Sequence, residues 1–365
     1  MRNKKILIIG FQKCDAAMYP HLKTFIELLS NYCEVEYFLF RERWGHFEPL
    51  YTASREPSAW IAAVKGTLHS VIDTIKMMIT HSDHDAIIAI DNYAYAIAAN
   101  VKKRANLILW SHDFVGVNSL LYDTFFVRQI DSYCAKGIIK NKKIIIQDSK
   151  RLEALLESLK LPASISDTFF MPVFLEKPPI VHQSEMSSKA RPKILQCGGI
   201  GRYRYSDDLL AHYQTHSHEY QLLFHGFIFR EILTELEHKP MKPMISSNVL
   251  DNRSLYQIID FCDIGFVGYR WDDIYDDRYL SKASGQTVEF LRMGKPVIAM
   301  SESDLDEFIE ASGVGIGITD MSELGSAIDQ IRENYDRYSE NSIHCFDEYF
   351  SPDTYIPKIL DWVWS

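Results

Sequence analysis

The feature that most constrains this chain is a repeated alternation of short β-branched runs with longer amphipathic segments. Residues 5–9 and 34–40 predict strands, and residues 19–32 between them predict a helix with its apolar side chains on one face. The order continues through strands predicted at 86–90, 106–110 and 143–147. Strands that alternate with helices form parallel sheets covered on both faces, so the pattern predicts an α/β fold.

The alternation pauses around residues 174–191 and begins again at residue 193. The intervening stretch is polar and bracketed by prolines, which is typical of a linker. Further strands are predicted at 193–196, 221–224, 264–267 and 296–299. A chain of 365 residues is long enough for two cores. We therefore predict one Rossmann-like domain over residues 1–180, a second over 190–350, and a final helical segment over 351–365.

The charge and composition of the chain argue against several classes of protein. The net charge of −10 makes a general nucleic-acid binder a poor interpretation. No apolar run is long enough to span a membrane or to form a signal peptide, and the six cysteines are scattered, so we expect a cytoplasmic protein. Residues 102–104 and the lysines between 136 and 143 make the first half slightly basic. They predict weak peripheral contact of that half with an anionic membrane surface.

Ligands bind beyond the carboxyl ends of parallel strands, and this rule selects candidates in the first half. The loop from Gly10 to Ala17 follows the first predicted strand, Asp91 follows the third, and His112 and Asp113 follow the fourth. A histidine beside an aspartate at such a position can orient or polarise a substrate, or be satisfied structurally by a neighbouring carbonyl. The stretch 83–85, Asp-His-Asp, precedes a strand instead, and we interpret it as a solvated turn that binds no metal.

In the second half, the glycines of residues 198–201 join a predicted strand to a helix that Ser206 is predicted to cap. Glycines allow backbone N–H groups to approach a phosphate, and Arg202 and Arg204 can neutralise a diphosphate. An ordinary tight turn is the alternative. Further along, Ser284 and Gly285 lie at a predicted helix start, where backbone donors are free.

Residues 281–299 form the most specific segment of the sequence. Glu289-Phe-Leu and the run 294–298, Gly-Lys-Pro-Val-Ile, resemble the donor-site signature of glycosyltransferases with the GT-B fold, especially the retaining group 1 type of family 4. The chain departs from that signature at Ser281, where the family has its first Glu, and at Gln286, where some members have Lys. The resemblance extends more loosely to residues 110–113, 170–173 and 248–266.

The resemblance implies two Rossmann-like domains facing a central cleft, with the C-terminal helix crossing back to the N-terminal domain. It implies that the second domain binds a UDP- or GDP-type nucleotide sugar and that the first binds the acceptor. It places the base at Val249, the ribose at Glu289 and the diphosphate at Gly199, Arg202 and Arg204, beside the helix start at 284–285. It implies a catalytic role for His112, with Asp91 and Asp113 as weaker acceptor-side candidates.

The function that follows from the resemblance is hexosyl transfer to a saccharide or lipid-linked acceptor in bacterial surface-glycan assembly, without a cofactor or metal. The replacement at Ser281 leaves the choice between retention and inversion open. Two alternatives also stay open at this point. A sugar-nucleotide 2-epimerase has the same fold, and a binding protein without catalysis would agree with the missing carboxylate at position 281.

Overall fold

The computed structural model describes residues 4–11, 20–40, 83–101, 106–112, 125–162, 164, 167–178, 191–247, 252–270 and 278–365. The chain divides into two compact units. The first consists of Met1–Met171 together with Tyr355–Ser365, and the second is Pro172–Thr354. Each described unit is built around one six-stranded sheet in which every strand pairing is parallel.

The first sheet has the strand order β2-β1-β3-β4-β5-β6. Its strands are β1 Lys5–Phe11, β2 Glu34–Phe40, β3 Ala86–Ile90, β4 Asn106–Trp110, β5 Lys143–Ile146 and β6 Asp167–Phe170. The described helices between them are α1 Pro20–Ser30, α2 Asp91–Val101, α3 Phe125–Asn141 and α4 Ser149–Ser158. All five residues of β3 are buried, because helices cover both faces of a parallel sheet.

The C-terminal helix, Ile356–Trp364, belongs to the first unit. Its Trp362 indole Nε1 donates to Asp167 Oδ1 at 2.7 Å, and Asn106 Nδ2 donates to the Val363 carbonyl at 3.2 Å. The Lys143 ammonium donates to the Trp362 carbonyl and lies over that residue's ring. The predicted return of this helix to the N-terminal domain is confirmed.

The second sheet has the order β12-β11-β10-β7-β8-β9. Its strands are β7 Lys193–Ile200, β8 Gln221–Ile228, β9 Met244–Ser246, β10 Ile264–Tyr269, β11 Val297–Ser301 and β12 Gly315–Gly317. The helices are α5 Ser206–His216, α6 Arg230–His238, α7 Asn252–Phe261, α8 Gly285–Leu291, α9 Leu305–Ala311, α10 Leu324–Glu333 and α11 Tyr335–Cys345. The two parallel sheets confirm the predicted α/β fold with two Rossmann-like domains.

The division between the units lies at Pro172, earlier than the linker composition suggested. The N–H of Val173 donates to the Lys282 carbonyl at 2.9 Å, and Val173 and Leu175 are buried in the second core. Residues 172–175 therefore pack as part of the second unit, although their sequence continues the proline-rich stretch. At the other end, residues up to Thr354 stay with the second unit.

Within the described residues, no helix is long and apolar enough to cross a membrane. Of the basic residues on which the predicted membrane contact rests, Lys102, Lys103 and Arg104 lie outside the described residues. Lys143 is partly withdrawn from solvent by its bond to the Trp362 carbonyl, and burial lowers the pKa of its ammonium. Peripheral membrane contact stays a prediction.

A half-buried carboxyl group makes the stability of the second unit depend on pH. Asp306 Oδ2 accepts from the Ser301 N–H at 3.2 Å, but Oδ1 is buried without a hydrogen-bond partner. Burial, opposed by the Ser301 bond and reinforced by nearby Glu310, raises the pKa of Asp306 to about 7. A raised acid pKa means that the folded protein binds the proton more tightly than the unfolded chain. The stability contributed by that proton is therefore lost as the pH rises through about 7.

We expect Asp306→Asn to stabilise the protein more at pH 8 than at pH 5, because the penalty of the raised pKa grows between the ordinary pKa of 3.8 and about 7. Asn is neutral at both pH values, keeps an oxygen for the Ser301 N–H, and removes the unpartnered buried charge. The gain at pH 8 should be roughly 1–2 kcal/mol, because partial exposure screens the group. Melting curves at pH 5 and pH 8 measure it, and an equal change at both pH values would contradict the assignment.

Candidate functional site

The glycine-rich segment of the second unit is the end of a strand. Gly198 and Gly199 belong to β7 and pair with Gly226 and Phe227 of β8, so the strand continues beyond the end predicted at residue 196. Gly198 has a φ of +96° and Gly226 a φ of +130°. A Cβ on Gly226 would lie 2.1 Å from the Gly198 carbonyl oxygen, which allows only glycine there. The two strands therefore approach closely at their carboxyl ends.

The space beside Gly199 is filled by a tyrosine side chain. A Cβ on Gly199 would lie 2.0 Å from Tyr203 Oη, and one on Gly201 would lie 2.8 Å from Tyr203 Cε1. These glycines therefore make room for Tyr203, whose ring packs edge-on against Phe229 with 5.3 Å between ring centroids. Helix α5 follows with Tyr205, in the left-handed conformation, at its N-cap. The prediction that Ser206 caps this helix is wrong, and Ser206 Oγ is buried without a partner.

Arg204 is the cation that the structure brings to the carboxyl edge of the second sheet. Its guanidinium lies over the Tyr269 ring, 3.7 Å from the ring centroid, and its carbonyl accepts from Gln196 Nε2 at 2.7 Å. Two of its guanidinium nitrogens, Nε and Nη1, are buried without a hydrogen-bond partner. Among the described residues, no acidic side chain forms an ion pair with Arg204. A half-buried cation with unused donors is a natural partner for an anion.

The other arginines of this edge are already paired with acids. Arg202 is exposed, and its Nη2 donates to Glu235 Oε1 at 2.9 Å. Arg270 forms ion pairs with both Asp207 and Asp208, the acidic residues of the first turn of α5. These acids therefore neutralise Arg270 and leave Arg204 unopposed. Diphosphate binding by Arg202 stays a prediction.

Helix α8 begins directly beside the end of β7. Gln286 Nε2 donates to the Cys197 carbonyl and occupies the space where Gly198 lacks a side chain. Ser284 caps the helix, since its Oγ accepts from the Thr287 N–H at 3.2 Å, and the Tyr269 hydroxyl lies 2.9 Å from the same oxygen. The Ser284 side chain is therefore used within the fold. The N–H groups of Gly285 and Gln286 make no hydrogen bond to the described residues.

Glu289 is buried one helical turn further along α8. Arg292 donates to Glu289 Oε2 through both Nε, at 2.9 Å, and Nη2, while Oε1 accepts no hydrogen bond from the described residues. Burial raises the pKa of Glu289, and Arg292 opposes that shift. Arg292 is in turn held by the Glu176 carbonyl and the Tyr256 hydroxyl, each at 3.0 Å. Replacing this carboxylate would therefore weaken a buried ion pair as well as remove a candidate ligand.

A carboxylate from another segment of the chain contacts Ser281. Asp304 Oδ1 accepts from the N–H groups of Leu280 and Ser281, at 2.8 and 3.0 Å. Its Oδ2 accepts from Ser281 Oγ at 3.1 Å. Asp304 belongs to the turn after β11, so a second segment supplies negative charge where Ser281 replaces the expected one. The sequence contains no local signal for this contact.

An apolar groove of about 410 Å³ lies on the α7 face of the second sheet. It is lined by residues of β7, β8, β9 and α7, including Leu195, His225, Ser246 and Phe261. His225 is 7% exposed, and its Nδ1 is buried without a hydrogen-bond partner. Burial lowers the pKa of His225, and a bond with the Ser246 main chain opposes that shift. The groove is mainly apolar, with Ser246, Ser254 and Gln257 among its lining residues. Val249, the residue predicted to hold the base, lies outside the described residues.

In the first unit, Asp91 and His112 are brought together at the carboxyl ends of β3 and β4. Asp91 Oδ1 accepts from the His112 N–H at 2.8 Å, and Asp91 itself has a φ of +63°. The His112 carbonyl accepts from Arg151 Nη2. Asp113, the third predicted catalytic residue, lies outside the described residues. The stretch 83–85 helps to hold the first sheet together, since Asp85 Oδ2 accepts from the N–H of Lys5, the first residue of β1, at 3.0 Å.

The side chain of His112 contacts two aromatic rings, those of His21 and Trp110. Its Nδ1 lies 3.1 Å from His21 Nε2, and its ring centroid lies 4.5 Å from that of Trp110. Its Nε2 is buried without a hydrogen-bond partner. Burial lowers the pKa of His112 well below its ordinary value, and His21 and Arg151 lower it further. His112 is therefore neutral at pH 7, and its Nε2 is not used in a hydrogen bond within the fold.

Some residues of both sites were not found from the sequence. Tyr269 lies at the carboxyl end of β10, and the rule used for the other candidates would have selected it had the strand been extended beyond residue 267. Arg151 and His21 lie on helices, and only the folded chain brings them to His112. Asp304 is likewise brought to Ser281 by a contact across 23 residues of sequence.

No protein-family model and no curated protein sequence matches this chain. Several solved structures, by contrast, are similar to this chain. HepE from Anabaena, in complex with UDP, is 14% identical over 99% of both chains, with a TM-score of 0.68. Sucrose-phosphate synthase from Thermosynechococcus elongatus is 13% identical over 99% of this chain and 98% of that one, with a TM-score of 0.71. The lipopolysaccharide outer core galactosyltransferase WaaB is 12% identical over 99% of both, with a TM-score of 0.65. These likenesses establish the fold over nearly the whole chain.

We expect Ser281→Glu, which introduces the glutamate of the signature that this segment resembles, to destabilise this protein. The new carboxylate would lie against Asp304, and two like charges at hydrogen-bond distance repel. The cost should be about 1–3 kcal/mol, because a hydrogen bond to a charged group is also lost. The double variant Ser281→Glu, Asp304→Ser should recover much of that loss. Melting curves of the wild type, of Ser281→Glu, of Asp304→Ser and of the double variant complete the cycle. Strictly additive effects on stability would show that the two positions are not coupled.

Proposed function

We propose that the chain is a glycosyltransferase whose second unit binds a nucleotide-diphosphate sugar. The observation that carries this proposal is Arg204, a half-buried guanidinium with two unpartnered nitrogens at the carboxyl edge of a parallel sheet. Ligands of such sheets bind at that edge. The fold supports the same conclusion, since HepE has been solved with UDP, with UDP-glucose, and with UDP and glucose.

The diphosphate is the ligand that Arg204 fits. Tyr269 stacks on its guanidinium and contacts the cap of α8, so Arg204 and the free N–H groups of Gly285 and Gln286 belong to one connected cluster. Together they offer charge and directed donors to phosphate oxygens. A contact of the diphosphate with the main chain of Gly199 stays a prediction, since Tyr203 fills the space beside that residue. When the glycosidic bond breaks, negative charge grows on the diphosphate, and fixed donors stabilise it.

Glu289 is proposed to hold the ribose. Its Oε2 is used by Arg292, which leaves Oε1 to accept from a hydroxyl group. Because burial excludes water from this carboxylate, such a charged hydrogen bond contributes about 1.5–3 kcal/mol. Arg292 fixes the orientation of the carboxylate and is proposed as its positioning residue.

The apolar groove beside His225 is proposed to receive the nucleobase. It lies on the face of the sheet that also carries Glu289, since Leu195 and Leu223 line the groove and share one core cluster with Val288 and Phe290 of α8. A flat, mostly apolar base with a few polar edge atoms fits a groove of this size with one neutral ring nitrogen. UDP is the first candidate, and Val249 is predicted to complete this part of the site.

His112, with Asp91 and Asp113 as weaker candidates, is proposed to act on the reacting sugar from the first unit. The acceptor is proposed to be a saccharide or lipid-linked glycan of a bacterial surface polymer, and the chain is proposed to transfer a hexose without a metal or cofactor. Among the described residues there is no group of three His, Cys, Asp or Glu side chains that could hold a metal ion. Retention at the transferred carbon follows only from the resemblance to family 4.

We expect UDP to bind the full chain in the absence of divalent metal and Arg204→Gln to weaken that binding by roughly 10- to 100-fold. The variant removes a charge that the diphosphate would share, a loss of about 1.5–3 kcal/mol. Isothermal titration measures the affinity. Arg191→Gln is the matched control, since Arg191 lies before the amino end of β7 and bonds the Ser217 carbonyl. Equal affinity of Arg204→Gln and wild type would remove Arg204 from the site.

The titration is repeated with GDP and with chelator. Binding that requires magnesium or manganese would contradict a diphosphate site built on Arg204. Incubation of UDP-sugars in deuterated water separates the remaining alternatives. Deuterium at the second sugar carbon identifies an epimerase, and tight binding with no product on any acceptor identifies a binding protein.

We expect His112→Ala to lower turnover by about 100-fold or more while changing UDP affinity less than twofold, as for a group that acts in the transition state. The nucleotide is proposed to be bound by the other unit, so the two measurements should separate. Initial rates with a UDP-sugar and titration with UDP provide them. Unchanged turnover in a folded variant would make His112 a structural residue.

A further inference from the structure

A second histidine is in contact with the proposed catalytic histidine. His21, in the first turn of α1, places Nε2 at 3.1 Å from Nδ1 of His112. The ring centroids are 4.8 Å apart and the rings are tilted by 34°. This is hydrogen-bond distance for two nitrogens, and one proton must lie between them. Two protons there would clash, and none would leave two lone pairs facing each other.

The main chain at His112 is held without this contact. Its N–H donates to Asp91, and its carbonyl accepts from Arg151, whose Nε donates to Gln147 Oε1 at 2.8 Å. Gln147 in turn donates to the Ser111 carbonyl at 3.2 Å. The backbone at positions 111–112 is thus fixed by three other side chains. What the contact with His21 determines is the position of the proton on the His112 ring.

We propose that His21 is a positioning residue that donates from Nε2 to Nδ1 of His112 and thereby keeps the remaining proton of His112 on Nε2. In that tautomer the buried, unpartnered Nε2 is a donor. A donor there suits an oxygen of a sugar, either a hydroxyl group or the oxygen of the bond that breaks. The role of His112 toward the sugar rests on the proposed function, but the tautomer does not.

The charges around the pair favour a neutral arrangement. Arg151 from α4 and His21 from α1 both disfavour a proton charge on His112, as does burial, while Asp91 from α2 is engaged by the His112 N–H. A cationic His112 would place its charge beside Arg151 and lose the bond from His21. The His112 ring therefore works as a neutral donor rather than as an imidazolium acid.

The test is the ¹⁵N spectrum of histidine-labelled full-length protein at pH 7.5, with His112→Ala used to identify the His112 signals. The expected result is a protonated Nε2 and an unprotonated Nδ1 on His112. His21→Gln should keep this pattern, because its amide can still donate, whereas His21→Phe should give a mixture of tautomers. A proton on Nδ1 of His112 in the wild type, or the same pattern in both variants, would overturn the proposal. The wild-type spectrum decides even if a variant does not fold.

Kinetics supply the second readout. With a UDP-sugar and an acceptor, His21→Phe should lower kcat about tenfold through loss of the positioning hydrogen bond and leave KM for the donor nearly unchanged, while His21→Gln should recover most of kcat. Equal loss in both variants would overturn the proposal. If the wild type transfers no sugar, the proposed function fails, whereas the spectrum still decides the tautomer.

Discussion

The hydrogen bond from Gln286 to the Cys197 carbonyl joins the parts of the second unit on which its site depends. It holds the beginning of α8 against the end of β7, and it is possible only because Gly198 has no side chain in the space that Gln286 occupies. The close approach of Gly198 and Gly226 brings β8 to the same edge. Ser284, at the start of the same helix, bonds the Tyr269 hydroxyl, and the Tyr269 ring stacks on the Arg204 guanidinium. The absence of a side chain at Gly198 is therefore needed for the contacts that position Arg204.

The distribution of charge at that edge explains why one arginine differs from its neighbours. Arg202 and Arg270 form ion pairs with acidic side chains, and Arg270 also lies over the Tyr205 ring. Arg204 lies over the Tyr269 ring and forms no ion pair with the described residues. An aromatic face stabilises a guanidinium without consuming its hydrogen-bond donors, unlike a carboxylate. The first unit shows a similar arrangement, since the His112 ring contacts the rings of Trp110 and His21 while its Nε2 has no hydrogen-bond partner. In each unit, therefore, a polar side chain, Arg204 or His112, packs against an aromatic ring and keeps nitrogen atoms that form no hydrogen bond within the fold.

The sequence predicted most of the described strands because parallel strands buried on both faces are continuous apolar runs, as β3 and β5 are. It failed where the signal is not local. Helix α3 carries polar residues throughout, and β9 and β12 have only three residues each. Glu289 and Arg204 could be selected by motif and position, whereas the burial of Glu289 depends on Arg292 and its partners from distant segments. The contacts of His21 and Asp304 are tertiary and leave no periodic pattern.

The first unit is discontinuous, and this has a consequence for how the chain is made. Its last helix follows the whole of the second unit, yet Trp362 and Val363 complete the surface beside β4 and β6. During synthesis the N-terminal sheet therefore emerges early but waits for its final helix until 183 further residues, Pro172–Thr354, have left the ribosome. The second unit is continuous and has no such delay. A ribosome-bound chain that ends at Thr354 would thus carry a complete second unit beside an incomplete first one.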